Sequence, residues 1–304
     1  MATYRMKKGS GDIVFDICNY TGFGLFTLLC IYPFYYLIIN TISSNDISAS
    51  GFINFWPQGI HFHNYVDVIK LRGLSHAALI SVLRTVLGTL LTVLSSAFLG
   101  FMFTQRRMWK RKLWYRSLVI TMYFNAGLIP VFITMHILQL TNNFFVYIIP
   151  AIVQPFYIIL VKTYFESMPD SLQQAAEIDG AGIFRIFASI MFPLALPILA
   201  TVAIFSAVGQ WNSFQDTLIY VTDQKLYSLQ YVLYMYINQS NSLAMLIRSS
   251  PNLNGQAMAA LATKQTPASI RMTVTIFVVA PIIFIYPLFQ RYFIKGIMIG
   301  SIKG

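Results

Sequence analysis

Glu166–Pro197 reads ESMPDSLQQAAEIDGAGIFRIFASIMFPLALP, and the fold is read outward from it. Pro169 followed by Asp170-Ser171 forms a strong helix start, because Asp or Ser can accept orphan backbone N–H groups. Leu172, Ala175, Ala176 and Ile178 fall roughly on one face of the helix expected there, over Ser171–Asp179. Gly180 ends it, since a left-handed backbone costs least at glycine. A second amphipathic helix follows, with Ile183, Phe184, Ile186, Phe187 and Ile190 as its apolar positions. Pro193 then marks the entry into a long apolar run, as proline is tolerated in a first helical turn. A face of Ala and Gly lets another backbone approach closely. It suits docking into a partner's groove, or packing of an interfacial helix on its own bundle. Local physics leaves both open.

The flanking sequence is that of a membrane protein. Of 304 residues, 57% are hydrophobic and 10% charged. A soluble domain carries about 25% charged residues. Six stretches reach the ~20 apolar residues that cross hydrocarbon. They are roughly Thr21–Thr41, Ile80–Phe103, Trp114–Ile137, Asn143–Tyr164, Phe192–Phe214 and Met272–Tyr292. The expected fold is all-α and integral to the membrane.

Charge sets the orientation. The loop Gln105–Arg116, QRRMWKRKLWYR, holds Arg106, Arg107, Lys110, Arg111, Lys112 and Arg116. A short loop this basic stays in the cytoplasm. With six crossings, both termini are then cytoplasmic. The cytoplasmic segments carry 14 of the 21 Lys and Arg, and the external ones six. The net charge of +11 is therefore read as cytoplasmic retention rather than nucleic-acid binding. The expected order is a cytoplasmic segment 1–20, a six-helix transmembrane bundle 21–292 and a cytoplasmic tail 293–304. External loops fall at about 42–79 and 215–271, and the cytoplasmic segment at about 166–192. The first apolar run has no small-residue cleavage site and reads as a retained anchor.

Few residues suggest chemistry. Cys18 and Cys30 have no metal-type spacing and imply no disulfide framework. The histidines are His61, His63, His76 and His136; His61-x-His63 lacks a third ligand, so no metal site is expected. Glu166 and Glu177 are the only glutamates, and no nucleophilic or paired-carboxylate constellation can be assembled. The chain is not expected to be an enzyme. Arg84 is expected near the outer end of its helix, where it can snorkel. An acidic sugar could be drawn to it, but a structural ion pair or interfacial anchor is the plainer expectation. Tyr123, Asn125, Gln154, Trp211, Asn212 and Gln215 are candidates for a polar pathway. Asn and Gln facing lipid would cost free energy, so they should face the bundle interior. Interhelical hydrogen bonding is the commoner reason for such residues.

The run Gln174–Pro193 resembles the EAA loop of ABC importer permeases. That signature is Glu-Ala-Ala, two variable residues, Asp-Gly-Ala, and then about nine residues to Ile-x-Leu-Pro. Here it stands as Gln174-Ala175-Ala176, Asp179-Gly180-Ala181 and Ile190-Met191-Phe192-Pro193. Gln174 replaces the usual Glu and removes a charge; Phe192 replaces the usual Leu. The six-helix order, the long loop before the last crossing and the WNSF run Trp211–Phe214 are similar to carbohydrate-uptake permeases, in particular the second maltose-type subunit. Asn125–Pro130 and Leu83–Thr89 resemble the branch for complex or polysaccharide-derived oligosaccharides.

The resemblance implies a type I importer fold in a prokaryotic plasma membrane, with a cytoplasmic coupling helix. Gln174, Ala175, Ala176, Glu177, Asp179 and Gly180 would couple to an ATPase. A second, different permease, two ATPase subunits and an external sugar-binding protein are the implied partners. Asn252, Asn254, Gly255 and Gln256 would contact the binding protein. The sequence G-x-x-x-x-G-K-[ST] does not occur, so ATP and Mg would be bound by the partner ATPases. Alternatives are a permease for amino acids or peptides, or a secondary transporter. The latter would normally carry intramembrane acidic residues, and none lies in a predicted crossing.

Overall fold

In the computed structural model, residues 9–49, 51–71, 73–249 and 267–296 are described, and they are helical with irregular connections. The helices are α1 (Ser10–Thr41), α2 (Asn45–Ala49), α3 (His63–Lys70), α4 (Leu74–Thr104), α5 (Arg111–Tyr123), α6 (Leu128–Ile137), α7 (Pro155–Glu166), α8 (Asp170–Ile178), α9 (Ile183–Ile186), α10 (Phe192–Leu194), α11 (Leu196–Asn212), α12 (Gln215–Tyr220), α13 (Leu229–Ser249) and α14 (Pro267–Gly296). The chain divides into two compact units. One comprises residues 1–68 and 239–276, the other 69–238 and 277–304.

Two helices among the described residues are unbroken, long and apolar enough to cross a membrane: Gly11–Thr41 and Leu74–Thr104. Three further candidates are bent. Arg111–Tyr123 and Leu128–Ile137 meet at 120°, Phe144–Ala151 and Pro155–Glu166 at 43°, and Ile183–Leu194 and Leu196–Asn212 at 77°. Counting each pair once gives five spans, and Ser269–Phe284 adds a shorter apolar helix.

Three of the six expected crossings are bent. The third breaks where Asn125 Oδ1 accepts the Gly127 N–H at 2.9 Å, and Gly127 takes φ +83°, open to glycine alone. The fourth begins as two 3₁₀ turns, Phe144–Tyr147 and Ile149–Ala151, before α7 starts at Pro155. Pro150 and Pro155 cannot donate to a continuous helix. The fifth starts at Leu196 rather than Phe192. Before it runs α9, a wider π-wound turn over Phe187–Met191, and α10, with prolines at 193 and 197 in the opening turns of α10 and α11.

In the first unit, the segment after α1 is tied to that helix by buried polar groups. Asn64 Nδ2 donates to Thr41 O and Asn45 Oδ1, both at 2.9 Å. Ser48 Oγ donates to Asn40 Oδ1 at 2.8 Å. Ile53 is fully buried. His63, half of the His-x-His pair, instead meets Asp67 at 3.1 Å within α3.

In the second unit, α4 is the central post against which α7 and α11 pack. Lipid tails are as apolar as the helices, so close van der Waals contact and hydrogen bonds must hold such a bundle. Accordingly Arg84, Gly88, Thr92, Ser96 and Gly100, each four residues after the last, are all buried on one stripe. A Cβ on Gly100 would come within 3.1 Å of Lys162 N on α7. Thr92 Oγ1 donates to Ala151 O at 3.0 Å, and Ser95 Oγ to Ile152 O. These bonds satisfy carbonyls freed where the fourth span unwinds, as a dry environment demands. Phe101 meets Phe165 and Phe187 at 5.9 and 5.3 Å, pinning the segment after α8 to the post.

Candidate functional site

α8 begins one residue earlier than expected and ends in a Schellman arrangement. Gly180, at φ +76°, donates to Glu177 O at 3.1 Å, and Ala181 N–H to Ala176 O at 2.9 Å. Pro169 sits at the N-cap, so Asp170 falls in the first turn and caps nothing with its side chain. Instead, Asp170 faces Arg106 at 3.6 Å, and Glu177 faces Arg107 at 3.6 Å.

Two residues that sequence reasoning missed hold α8 in place. Gln105 is buried, and its amide exchanges hydrogen bonds with Gln173, at 2.9 Å from Gln173 Nε2 and 3.3 Å in return. Gln173 Nε2 also donates to Glu177 Oε1 at 2.9 Å. With Gln174 these groups border a polar cavity of about 210 Å³. Ala176, 7% exposed, is the anchor in the core of the unit. The opposite face is bare: Gln174, Ala175 and Asp179 are exposed, and Ile178 is 86% exposed. One face of this helix thus packs on the bundle, and the other is left uncovered among the described residues.

A second site lies on the N-terminal half of α4. Arg84 is 1% exposed. Its Nε and Nη2 donate to Gln210 Oε1 at 3.2 and 3.1 Å, and Nη1 donates to Ser213 O at 3.2 Å. Nη2 also meets Asp216 Oδ2 at 2.6 Å, and the guanidinium lies 4.3 Å from the Tyr147 ring centroid. The group does not snorkel; it is a structural ion pair reinforced by an amide. Gln210 Nε2 donates to Tyr147 O at 3.1 Å, and Tyr147 OH to Leu226 O at 2.6 Å. Gly88 makes room for Gln210: a Cβ there would fall 2.7 Å from its Nε2. Beside this network opens a cavity of about 400 Å³, bordered also by Gln154, Tyr157, Ser206 and Tyr220.

Residues 96–299 match the family described as the binding-protein-dependent transport system inner membrane component. The chain is a member of that family. Protein LplC of Bacillus subtilis is 29% identical, over 99% of both chains. The polygalacturonan/rhamnogalacturonan transport system permease protein YtcP of Bacillus subtilis is 28% identical, over 96% of this chain and 99% of its own. A chain in the crystal structure of a bacterial ABC transporter involved in the import of the acidic polysaccharide alginate superposes with a TM-score of 0.82 at 27% identity. That match covers 94% of this chain and 99% of the other.

In this permease, the six pathway candidates are not gathered in one place. Gln154, at the N-cap of α7, borders the large cavity. Trp211 is half-buried and donates Nε1–H to Val278 O at 2.9 Å. Asn212 bonds Val208 O and accepts from Gln230 Nε2 at 3.0 Å. Tyr123 is 86% exposed, Asn125 is spent on the bend at Gly127, and Gln215 is exposed. Gln210, Ser213 and Asp216 had not been singled out for the pathway. The binding-protein candidates Asn252, Asn254, Gly255 and Gln256 lie outside the described residues. Among the described residues there is no cluster of three potential metal ligands.

Proposed function

We propose that this permease forms one half of the membrane pathway of an ATP-driven importer of an oligosaccharide. The observation that carries the proposal is α8. It is fastened by Ala176 and by the Gln105–Gln173 amide pair, and it presents Gln174, Ala175 and Ile178 with nothing covering them. Such a helix can pass a push to α4 and to the segment behind Gly180 without bending, which is what a lever needs. Its occupant is an ATPase subunit, which binds ATP and Mg and supplies the hydrolysis this chain has no residues for. Alternating access is then a rigid-body motion of the bundle.

The topology that goes with this reading has both termini and α8 in the cytoplasm. The basic loop after α4 lies on the same side, as the charge bias supports. The six-crossing bundle is 21–292, and a second, different permease completes the pathway. Of the external segments at 42–79 and 215–271, the second meets a sugar-binding protein through Asn252–Gln256. The sugar cargo is supported by full-length likeness to permeases named for carbohydrates, among them the arabinooligosaccharides transport system permease protein AraQ of Halalkalibacterium halodurans. Alternating access uses Gly180 as the turn behind the lever.

The test is ATP hydrolysis by the complex purified in lipid, with the binding protein and a panel of oligosaccharides. One sugar should stimulate hydrolysis in wild type, and Gly180→Trp should abolish the stimulation while the complex still assembles. If no ATPase co-purifies, or if the variant is stimulated normally, the lever assignment is wrong.

A further inference from the structure

We infer that the 400 Å³ cavity beside Arg84 binds an uncharged sugar unit through its hydroxyls, with Asp216 and Gln154 as the recognising groups. The inference rests on the proposed oligosaccharide cargo and adds its chemical class.

Size is compatible, since small-molecule pockets run from about 300 to 1,000 Å³. Charge decides the class. Arg84 and Asp216 are the charged residues that border the cavity. The guanidinium is not available to an incoming anion. It is 1% exposed, has Tyr147 across one face, and is engaged by Gln210, Ser213 O and Asp216. Asp216 differs. Its side chain is 35% exposed, and only Oδ2 is engaged, by Arg84 and by Ser213 Oγ at 2.8 Å. Among the described residues Oδ1 has no hydrogen-bond partner, which leaves it as an acceptor on a residue that borders the cavity. A carboxylate oxygen accepts hydroxyl hydrogen bonds roughly twice as strong as neutral ones, and it repels another carboxylate.

The other polar groups of the wall are neutral. Gln154 caps no backbone group with its side chain and can both donate and accept. Tyr157, Tyr220 and Ser206 add hydroxyls, and the Tyr220 ring is held by stacking on Phe132 at 6.0 Å. Donors and acceptors of this kind match a hydroxylated ring. A uronate in the same place would set its carboxylate against the Oδ1 side of Asp216, and the only cation among the described residues that border the cavity, Arg84, is already committed to Asp216, Gln210 and Ser213 O.

The test is direct binding to the complete complex in nanodiscs, without the binding protein, so that its selectivity does not intrude. Saturation-transfer NMR would be run with two probe series: uncharged gluco-, xylo- and galacto-oligosaccharides, and oligomers of galacturonate and mannuronate. An uncharged probe should bind wild type in preference to every uronate oligomer. Gln154→Ala and Asp216→Asn should each weaken that binding by about tenfold or more. Asp216→Asn should also narrow the gap to the uronate series, because the repelling charge is gone. Asp216→Asn leaves Arg84 without its counter-charge, so assembly is checked by size exclusion; should that variant not assemble, Gln154→Ala decides.

Uronate oligomers binding wild type as tightly as uncharged ones, unchanged affinity in the variants, or no binding of any probe would each overturn the inference. All three results can occur while sugar-stimulated ATP hydrolysis persists, so the importer reading would survive them. Absence of any ATPase subunit from the purified complex would remove both.

Discussion

Arg84 Nη2 lies 2.6 Å from Asp216 Oδ2, across 132 residues of chain. The contact joins α4 to the first turn of α12, and Gln210 braces it from within α11. A guanidinium this deep is costly unless every donor it turns inward finds a partner. Here the partners come from a side-chain amide, a backbone carbonyl and a carboxylate, so the N-terminal half of α4 is held in register with the C-terminal end of α11 and the start of α12.

Replacing Arg84 with Met should therefore destabilise the complex by ~3 kcal/mol, because Asp216 and the Gln210 oxygen lose their donor together. Adding Asp216→Leu to that variant should recover part of the loss. Thermal unfolding of the purified complex measures both, and a double variant no better than the single one would show that the pair is not coupled.

Gly88 and Gly209 make a matched comparison. An alanine methyl at Gly88 would fall 2.7 Å from Gln210 Nε2 and 2.9 Å from its Cδ, whereas one at Gly209 meets nothing within 4 Å. Gly88→Ala should cost about 1–3 kcal/mol by forcing Gln210 off Arg84 or off Tyr147 O. Gly209→Ala should be neutral or slightly stabilising, by helix propensity. Melting temperatures of the two variants should differ in that order.

Thr92→Val and Ser95→Ala each remove one bond to the unwound stretch at Ala151 and Ile152. Interhelical bonds of this kind are worth ~0.6 kcal/mol on average, up to ~1.7. Amide hydrogen exchange around residues 151–156 should accelerate in both variants, and more in the double one. Unchanged exchange there would mean that the break is held by other contacts.

At the end of α8, Gly180→Ala should cost ~1 kcal/mol, because φ +76° is strained for any L side chain even though the space is open. Gly182→Ala should cost little, as Gly182 has φ −69° and nothing within 4 Å. Exchange protection over residues 170–181 distinguishes them: it should fall in the first variant and hold in the second.

The helix bracketed by Pro169 and Gly180 could be read from the sequence to within one residue at either end, because its signals are local. The bends could not be read from hydropathy. Apolar residues run on either side of Phe124–Gly127, Ile152–Gln154 and Ala195, interrupted only by single amides at Asn125 and Gln154, while the backbone turns there. Asn125, Gly127 and the paired prolines 150/155 and 193/197 are the local marks of the bends. The partners of Arg84 were out of reach, since nothing local ties position 84 to 210 or 216. The stripe Arg84, Gly88, Thr92, Ser96 and Gly100, by contrast, is spaced by four throughout and could have marked the packed face of α4. Gln105 and Gln173 were hidden for a different reason: a buried amide pair carries no pattern along either segment.

Uptake of a labelled oligosaccharide into proteoliposomes holding the complete complex tests the central claim most directly. With the binding protein outside and ATP inside, accumulation should begin on supplying ATP and Mg, and it should persist when ion gradients are collapsed. Accumulation that needs an ion gradient and proceeds without ATP would contradict the account.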